Sequence, residues 1–263
     1  MSGPSIHPTA VVHPDAQIDD SCEIGPYCTV DKEVTMGPRN RLISHVVVQN
    51  WTTIGADNTF FPFAVIGAIP QDQKFRGEKA QLVIGDRNSI RESATLNIGT
   101  AGGGGVTRIG DDNLLMAYVH IGHDSRVNDH VVIANSCQIA GHVAIESWAT
   151  IGGLTGVSQF LRIGSYCYIG GCSGVERDVP PFTLGRGPTG AFTILGLNLV
   201  GLKRRGFSKE DICLLREIER LFFEDKTTQR DAALDRIEQE LGSAGVVKQF
   251  VDFVRGSKKG SYR

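Results

Sequence analysis

The sequence contains no apolar run near the ~20 residues that a membrane-spanning helix requires. It has no Cys-x-x-Cys pair, and neither sign of charge dominates. Each absence removes a class of function. There is no candidate transmembrane helix, and the opening MSGPSIHPTA lacks a charged segment followed by an apolar one, so a cytoplasmic protein is expected. Six cysteines without paired spacing fit neither a disulfide framework nor a zinc ribbon. Lys and Arg number 27 against 29 Asp and Glu, a formal net charge of −2. That balance gives no overall attraction for nucleic acid or for an anionic membrane.

Glycine is in excess: 32 of 263 residues, about 12% against a usual ~7%. A six-residue repeat accounts for many of them. Steps of six from Ile6 meet an apolar residue every time through Val12, Ile18, Ile24, Val30, Met36, Leu42, Val48, Ile54, Phe60 and Ile66. The register returns at Ile84, Ile90 and Leu96, slips by one residue, and runs again from Ile109 to Val175. Glycine often follows the apolar residue, as at Gly25, Gly55, Gly122 and Gly164, and the fourth residue after it is usually small. Cys22, Cys28, Cys137 and Cys167 occupy that small position, which reads as packing rather than redox chemistry. A period of six is neither helical nor a simple strand alternation. It fits a triangular parallel β-helix with three hexads per coil, in which the large residue fills the interior. About nine coils at the ~4.8 Å strand spacing make a prism roughly 40 Å long.

Two segments break the repeat. The charged stretch PQDQKFRGEKAQ, residues 70–81, is expected to loop out, as is GTAGGGGVT, residues 99–107, whose glycines lack the Gly-Lys-Ser/Thr ending of a phosphate loop and read as flexibility. After Val175 the period stops and Asp178–Pro181, DVPP, marks an exit. Ser208 and Asp211 then form a capping box ahead of Ile212, Leu215, Ile218 and Phe222 on one helical face, with further helices over Gln229–Leu241 and Val246–Arg255. The expected division is a β-helix over residues 1–190 and a helical region over residues 191–263.

Within the repeat, AYVHIGHDSRV carries two histidines three residues apart. Ile121 points inward, so His120 and Gly122 flank it, and His142 falls about one coil above His123 and one residue further along. His123, Asp124, Gly141 and His142 are therefore expected to cluster on an outer face. A histidine of ordinary pKa ~6.5 suits general-base work near neutral pH, a carboxylate beside it can orient the ring, and a glycine lets a substrate approach a backbone N–H. Gly141 reads equally well as a plain corner residue.

The hexads resemble those of the hexapeptide-repeat acyltransferases, whose β-helix is left-handed and trimeric. Taken together, IHPTAVV, PQDQKFRGE, HIGHD, AGHV, GGCSGV, DVPP and GLKRRGFS resemble one family within them, the UDP-N-acetylglucosamine O-acyltransferases that begin lipid A synthesis in Gram-negative bacteria. The resemblance covers nearly the whole chain. It implies a mainly β fold, a left-handed parallel β-helix with C-terminal helices, and a homotrimer. The implied reaction moves an (R)-3-hydroxyacyl group from acyl carrier protein to the sugar 3-hydroxyl of the UDP-sugar, with no metal or redox cofactor. By motif, it makes His123 the base, Asp124 its partner and the Gly141 amide the oxyanion donor. His142 would contact the sugar, Asp72 and Lys74 would reach a cleft between subunits, and Gln159 would lie near the acyl donor. Asn198 and Arg204 would bind the nucleotide, and Gly171 would stand at the acyl-chain ruler position, where the missing side chain argues for a long chain. Lys203, Arg204 and Arg205 would attract the acidic carrier.

The chain departs from the family pattern at Asn97 and Ile98, at Ser158, and in the turn Gly185–Thr193. A 3-amino sugar acceptor, giving an amide, therefore stays open. A zinc hydratase on the same prism, in which three histidines from two subunits bind the metal and for which His120, His123 and His142 are the candidates, is the rival enzyme class, and a non-catalytic scaffold is the third. The related N-acyltransferases carry an additional N-terminal domain, whereas the hexads here begin at Ile6, which argues against that activity.

Overall fold

Ile24 and Leu42, eighteen residues apart, lie side by side on neighbouring parallel strands, and the same step links most of the prism. The structure, a computed structural model, describes residues 3–225, 227–243 and 245–263. Strands mostly two residues long stack into three parallel sheets of eleven, nine and eight strands, and the chain visits each sheet once per coil. The coil is a left-handed parallel β-helix. Strands this short accumulate almost no twist, so the twist that forces ordinary crossovers to be right-handed is missing. From Ile24 to Val175 the hexad apolar residues are buried in one continuous core, each worth roughly 1.5–3 kcal/mol on removal from water. The small fourth residues, including Cys22, Cys28, Cys137 and Cys167, are buried with them.

The corners carry an unusual backbone. Twenty-one non-glycine residues have positive φ, and each lies three positions after an inward apolar residue, as Asp124 follows Ile121 and His142 follows Ile139. Each such residue costs roughly 1–2 kcal/mol relative to a right-handed conformation. Stacking along the corners offsets it: the rings of His130 and Trp148 lie 3.9 Å apart, and Trp148, Tyr166 and Phe182 continue the column.

Inside the same corner, on the coils below, four buried asparagines form a ladder. The Asn58 amide donates to Asn40 Oδ1 (2.9 Å), Asn88 to Asn58 (2.8 Å), Asn113 to Asn88 (2.9 Å), and Val131 to Asn113 (2.7 Å). Two of these steps span thirty and twenty-five residues rather than eighteen, because each contains an excursion that leaves the prism and rejoins it at the next face. The first lies between the strands Val65–Ala68 and Gln81–Ile84, the second between Thr95–Asn97 and Val106–Ile109. Thr107 is thus a strand residue rather than part of the loop.

Beyond Val175 an antiparallel hairpin of Thr183–Arg186 and Thr193–Leu197 closes the eleven-stranded sheet, an element the hexad pattern did not predict. Helices α1 (Leu199–Arg204), α2 (Lys209–Ile218), α3 (Arg230–Leu241) and α4 (Gly245–Arg255) follow, with one π-helical stretch at Glu219–Glu224. Ser208 and Asp211 make the reciprocal capping box at α2. Phe182, the last corner residue of the prism, sits in the helical core with Leu215, Phe222 and Phe250. The C-terminal residues then return as a strap: Tyr262 N donates to Asp178 O (3.0 Å), and its hydroxyl accepts from Glu176 N (2.9 Å).

Candidate active site

The outer face of the nine-stranded sheet presents Thr95, His120, Gln138, Gly156 and Gly174 on successive coils. Two glycines in this column leave a groove of about 690 Å³. Its floor includes His120 and Gln138, one rim holds His123, Gly141 and Gln159, and the other rim holds Leu154 and Cys172. Pro188 and Thr189 of the hairpin line its far end, with Thr189 packed where a side chain on Gly174 would collide with it.

At the first rim the corner positions are Asp124, His142 and Phe160, one per coil. His142 therefore stands directly above Asp124, while His123 precedes the corner. The His123 Nδ1 lies 2.8 Å from Asp124 Oδ2. A carboxylate only accepts, so Nδ1 is the donor in this bond and Nε2, beside Gly141, is the nitrogen left for proton transfer. The Asp124 side chain is fully buried, but its charge is satisfied: Thr100 N donates to Oδ1 (2.9 Å) and Thr100 Oγ1 to Oδ2 (2.7 Å), while His142 Nε2 lies 3.9 Å away. Asp124 N donates to Thr107 Oγ1 (2.7 Å). The second excursion thus clamps the carboxylate. Its glycines do more than confer flexibility, since a side chain on Gly103 would collide with the Asp124 carboxylate.

Gly141 lies against the His123 ring, and its N–H donates to no protein acceptor among the described residues. His142 meets His123 edge-on at 5.0 Å and stacks on Phe160 at 4.3 Å. Burial pushes the His142 pKa down, against the opposing pull of the Asp124 and Asp72 charges. His120 is not at the surface edge: it bonds Thr95 Oγ1 (2.8 Å) on the groove floor, and burial lowers its pKa, helped by the charge of His123.

The other expected residues are more dispersed. Asp72 caps its own turn by accepting from Lys74 N (2.9 Å), and the Lys74 side chain is exposed. Gly171 is exposed just before Cys172, with Gly153 O 3.1 Å from where its Cβ would be. Asn198 and Arg204 line a separate pocket of about 490 Å³ with Trp148, Tyr166, Tyr168 and Arg205. It opens on the eleven-stranded face, so one chain does not bring them to His123. Asn198 also caps α1, accepting from Gly201 N (3.2 Å) and donating to Tyr166 O (2.9 Å).

Within one chain, His123, Asp124 and His142 offer ligand atoms within 4.8 Å of one another, while His120 is engaged with Thr95. The arrangement suits proton transfer: an oriented imidazole, a buried carboxylate behind it, and an unengaged amide beside it. Sequence reasoning missed Thr100 and Thr107, which lie in or beside a non-periodic excursion, and Thr189, in the hairpin.

Residues 178–262 match the family described as UDP N-acetylglucosamine O-acyltransferase, domain 2, and residues 107–141 match the six-repeat bacterial transferase hexapeptide. The acyl-acyl-carrier-protein UDP-N-acetylglucosamine O-acyltransferase of Myxococcus xanthus is 44% identical over 258 residues, 98% of this chain and 99% of that one. The enzyme of the same name from Thermodesulfovibrio yellowstonii is 45% identical over the same shares. Among solved structures, the UDP-N-acetylglucosamine acyltransferase of Francisella novicida superposes with a TM-score of 0.95 at 38% identity, covering 98% of this chain and 94% of the other. Its counterpart from Acinetobacter baumannii gives 0.95 at 40%, covering 99% and 100%. In sequence and in fold, over nearly all of its residues, the chain belongs to the UDP-N-acetylglucosamine O-acyltransferase family.

Proposed function

We propose that the protein transfers an (R)-3-hydroxyacyl group from acyl carrier protein to the 3-hydroxyl of UDP-N-acetylglucosamine. The observation that carries this reading is the Nδ1–Asp124 bond of His123, which fixes the ring and reserves Nε2 for proton transfer at the rim of a groove of about 690 Å³. His123 Nε2 takes the proton of the sugar hydroxyl as its oxygen attacks the thioester carbonyl. The Gly141 N–H receives the developing oxyanion, and Asp124 stabilises the imidazolium. Collapse forms the ester, breaks the C–S bond and returns the proton from His123 to the departing thiolate. His142 contacts the sugar, Gln159 the acyl donor, and Gly171 bears on chain length.

Asn198 and Arg204 are assigned to the nucleotide, and Asp72 and Lys74 to the cleft beside it. We infer a homotrimer, in which the nine-stranded face of one copy meets the eleven-stranded face of the next and joins the two pockets. Exposed Tyr27, Phe63, Tyr118 and Leu154 along the edge between these faces support it. The reaction belongs in the cytoplasm, where acyl carrier protein and sugar nucleotides are made.

A competition assay tests the reading. 3-Hydroxyacyl carrier proteins of several lengths are supplied with UDP-N-acetylglucosamine and its 3-amino analogue, and products are weighed by mass spectrometry. An ester supports the proposal. Amide alone keeps the base but shifts the acceptor, and absence of product with both overturns the function.

A further inference from the structure

The corner that carries Asp124 and His142 continues through Phe160 to the C-terminal strap. Three contacts lead upward from the proposed base: His123 to His142 at 5.0 Å, His142 to Phe160 at 4.3 Å, and the Phe160 ring to the Lys259 ammonium at 5.4 Å. Lys258 and Lys259 are adjacent and exposed, and neither has an ion-pair partner among the described residues. Their turn is fastened at both ends. Gly256 N donates to Asp252 O (3.0 Å) where α4 finishes, and Asp178 N donates to Gly260 O (3.0 Å) just beyond the lysines. The strap thus holds the Lys259 ammonium over Phe160, next to the rim residue Gln159, with Lys258 adjacent in sequence.

Resting on the acyl-transfer reading, we propose that Lys259, with Lys258 beside it, seats the phosphate of the phosphopantetheine arm on which a carrier protein presents its thioester. Between thioester and phosphate that arm contains two amides and has the reach of about four extended residues, about 14 Å. The three successive contacts given above keep the Lys259 ammonium within about that reach of the His123 ring. With the phosphate at the strap, the arm descends past Phe160 and Gln159, and the thioester carbonyl arrives beside the Gly141 N–H. The acyl chain is then left to lie along the groove. In the carrier protein that phosphate is a diester with one full negative charge at neutral pH, and a charge-assisted contact with an ammonium is among the stronger hydrogen bonds available.

Calorimetric titration of the full-length protein with 3-hydroxyacyl-phosphopantetheine, the phosphate-free acyl-pantetheine and UDP-N-acetylglucosamine tests the assignment. The wild type is expected to bind the phosphorylated donor about tenfold more tightly than the phosphate-free one, one charged contact's worth, and the margin should shrink with added salt. In the Lys258→Ala/Lys259→Glu double variant the preference disappears while UDP-N-acetylglucosamine affinity stays the same. Equal binding of the two donors by the wild type, or a preference that survives in the variant, overturns the proposal. So does a variant that loses sugar-nucleotide affinity alone, since the lysines would then serve the acceptor's diphosphate. A wild type that shows the phosphate preference but transfers no acyl group refutes the acyl-transfer reading and leaves the phosphate seat standing.

Discussion

The imidazole of His123 rests against the bare Cα of Gly141: a methyl group there would lie 2.7 Å from both Cε1 and Nε2. The ring can avoid it only by rotating, which breaks the 2.8 Å bond to Asp124. Gly141→Ala is therefore expected to lower kcat by about 100-fold or more, with a circular dichroism spectrum close to wild type because the collision is with the His123 side chain and not with backbone.

His123→Ala removes the base, and kcat should fall by ~10²–10⁴. Asp124→Asn should lose nearly as much, because a side-chain amide cannot accept from Thr100 and His123 at once without turning a donor toward one of them. Thr100→Val is the finer probe: it withdraws one donor from a buried carboxylate, and a fall of about tenfold in kcat with little change in KM is expected. Steady-state kinetics with both substrates varied separates these outcomes; a Thr100→Val enzyme of wild-type kcat would show that the clamp is dispensable.

Asn88 lies in the middle of the asparagine ladder. Asn88→Ala leaves the buried Asn113 amide without its acceptor and Asn58 Oδ1 without one donor, and should destabilise the fold by roughly 1–3 kcal/mol. By contrast, Arg87, whose ion pair with Asp112 is partly solvated, should cost no more than about 1 kcal/mol when replaced by alanine. Denaturant melts of the two variants test the order, and the reverse ranking would contradict it.

Burial holds the pKa of His120 below the ordinary 6.5. The folded state therefore binds fewer protons at this site than the unfolded state once the pH drops below about 6.5. Stability is lost as pH falls through that region and regained as it rises. His120→Asn should flatten the dependence of melting temperature on pH below 6.5 while leaving stability at pH 8 little changed; an identical acid slope in the variant would assign the effect to other groups, His142 first.

The prism was legible because its signal is redundant. Ile121 points inward for the same reason as Ile139 and Ile145, so the position of His123 relative to the core followed from the period alone. The stacking of His142 above Asp124 followed from the eighteen-residue coil as well; the left-handed backbone that both adopt at the corner did not, since the hexad pattern leaves it open. Thr100 lies in an excursion with no period to read, and its contact with Asp124 depends on how far the loop travels before it returns. The hairpin carrying Thr189 was hidden similarly, behind a turn that departs from the family pattern. Asn198 and Arg204 were recognised by motif but lie on a different face from His123, and a single chain's repeat contains nothing about how copies meet.

Because the groove runs along the stacking direction, its length is counted in whole coils. The stretch from His123 to the hairpin residue Thr189 can grow or shrink only in increments of one strand spacing, ~4.8 Å, or about four methylene groups. Adding or deleting a coil would shift the preferred fatty chain in coarse jumps. Adjustment by one or two carbons would fall instead to single side chains at the groove's end, so on the proposed reaction the scaffold would act as a coarse gauge and its capping residues as the vernier.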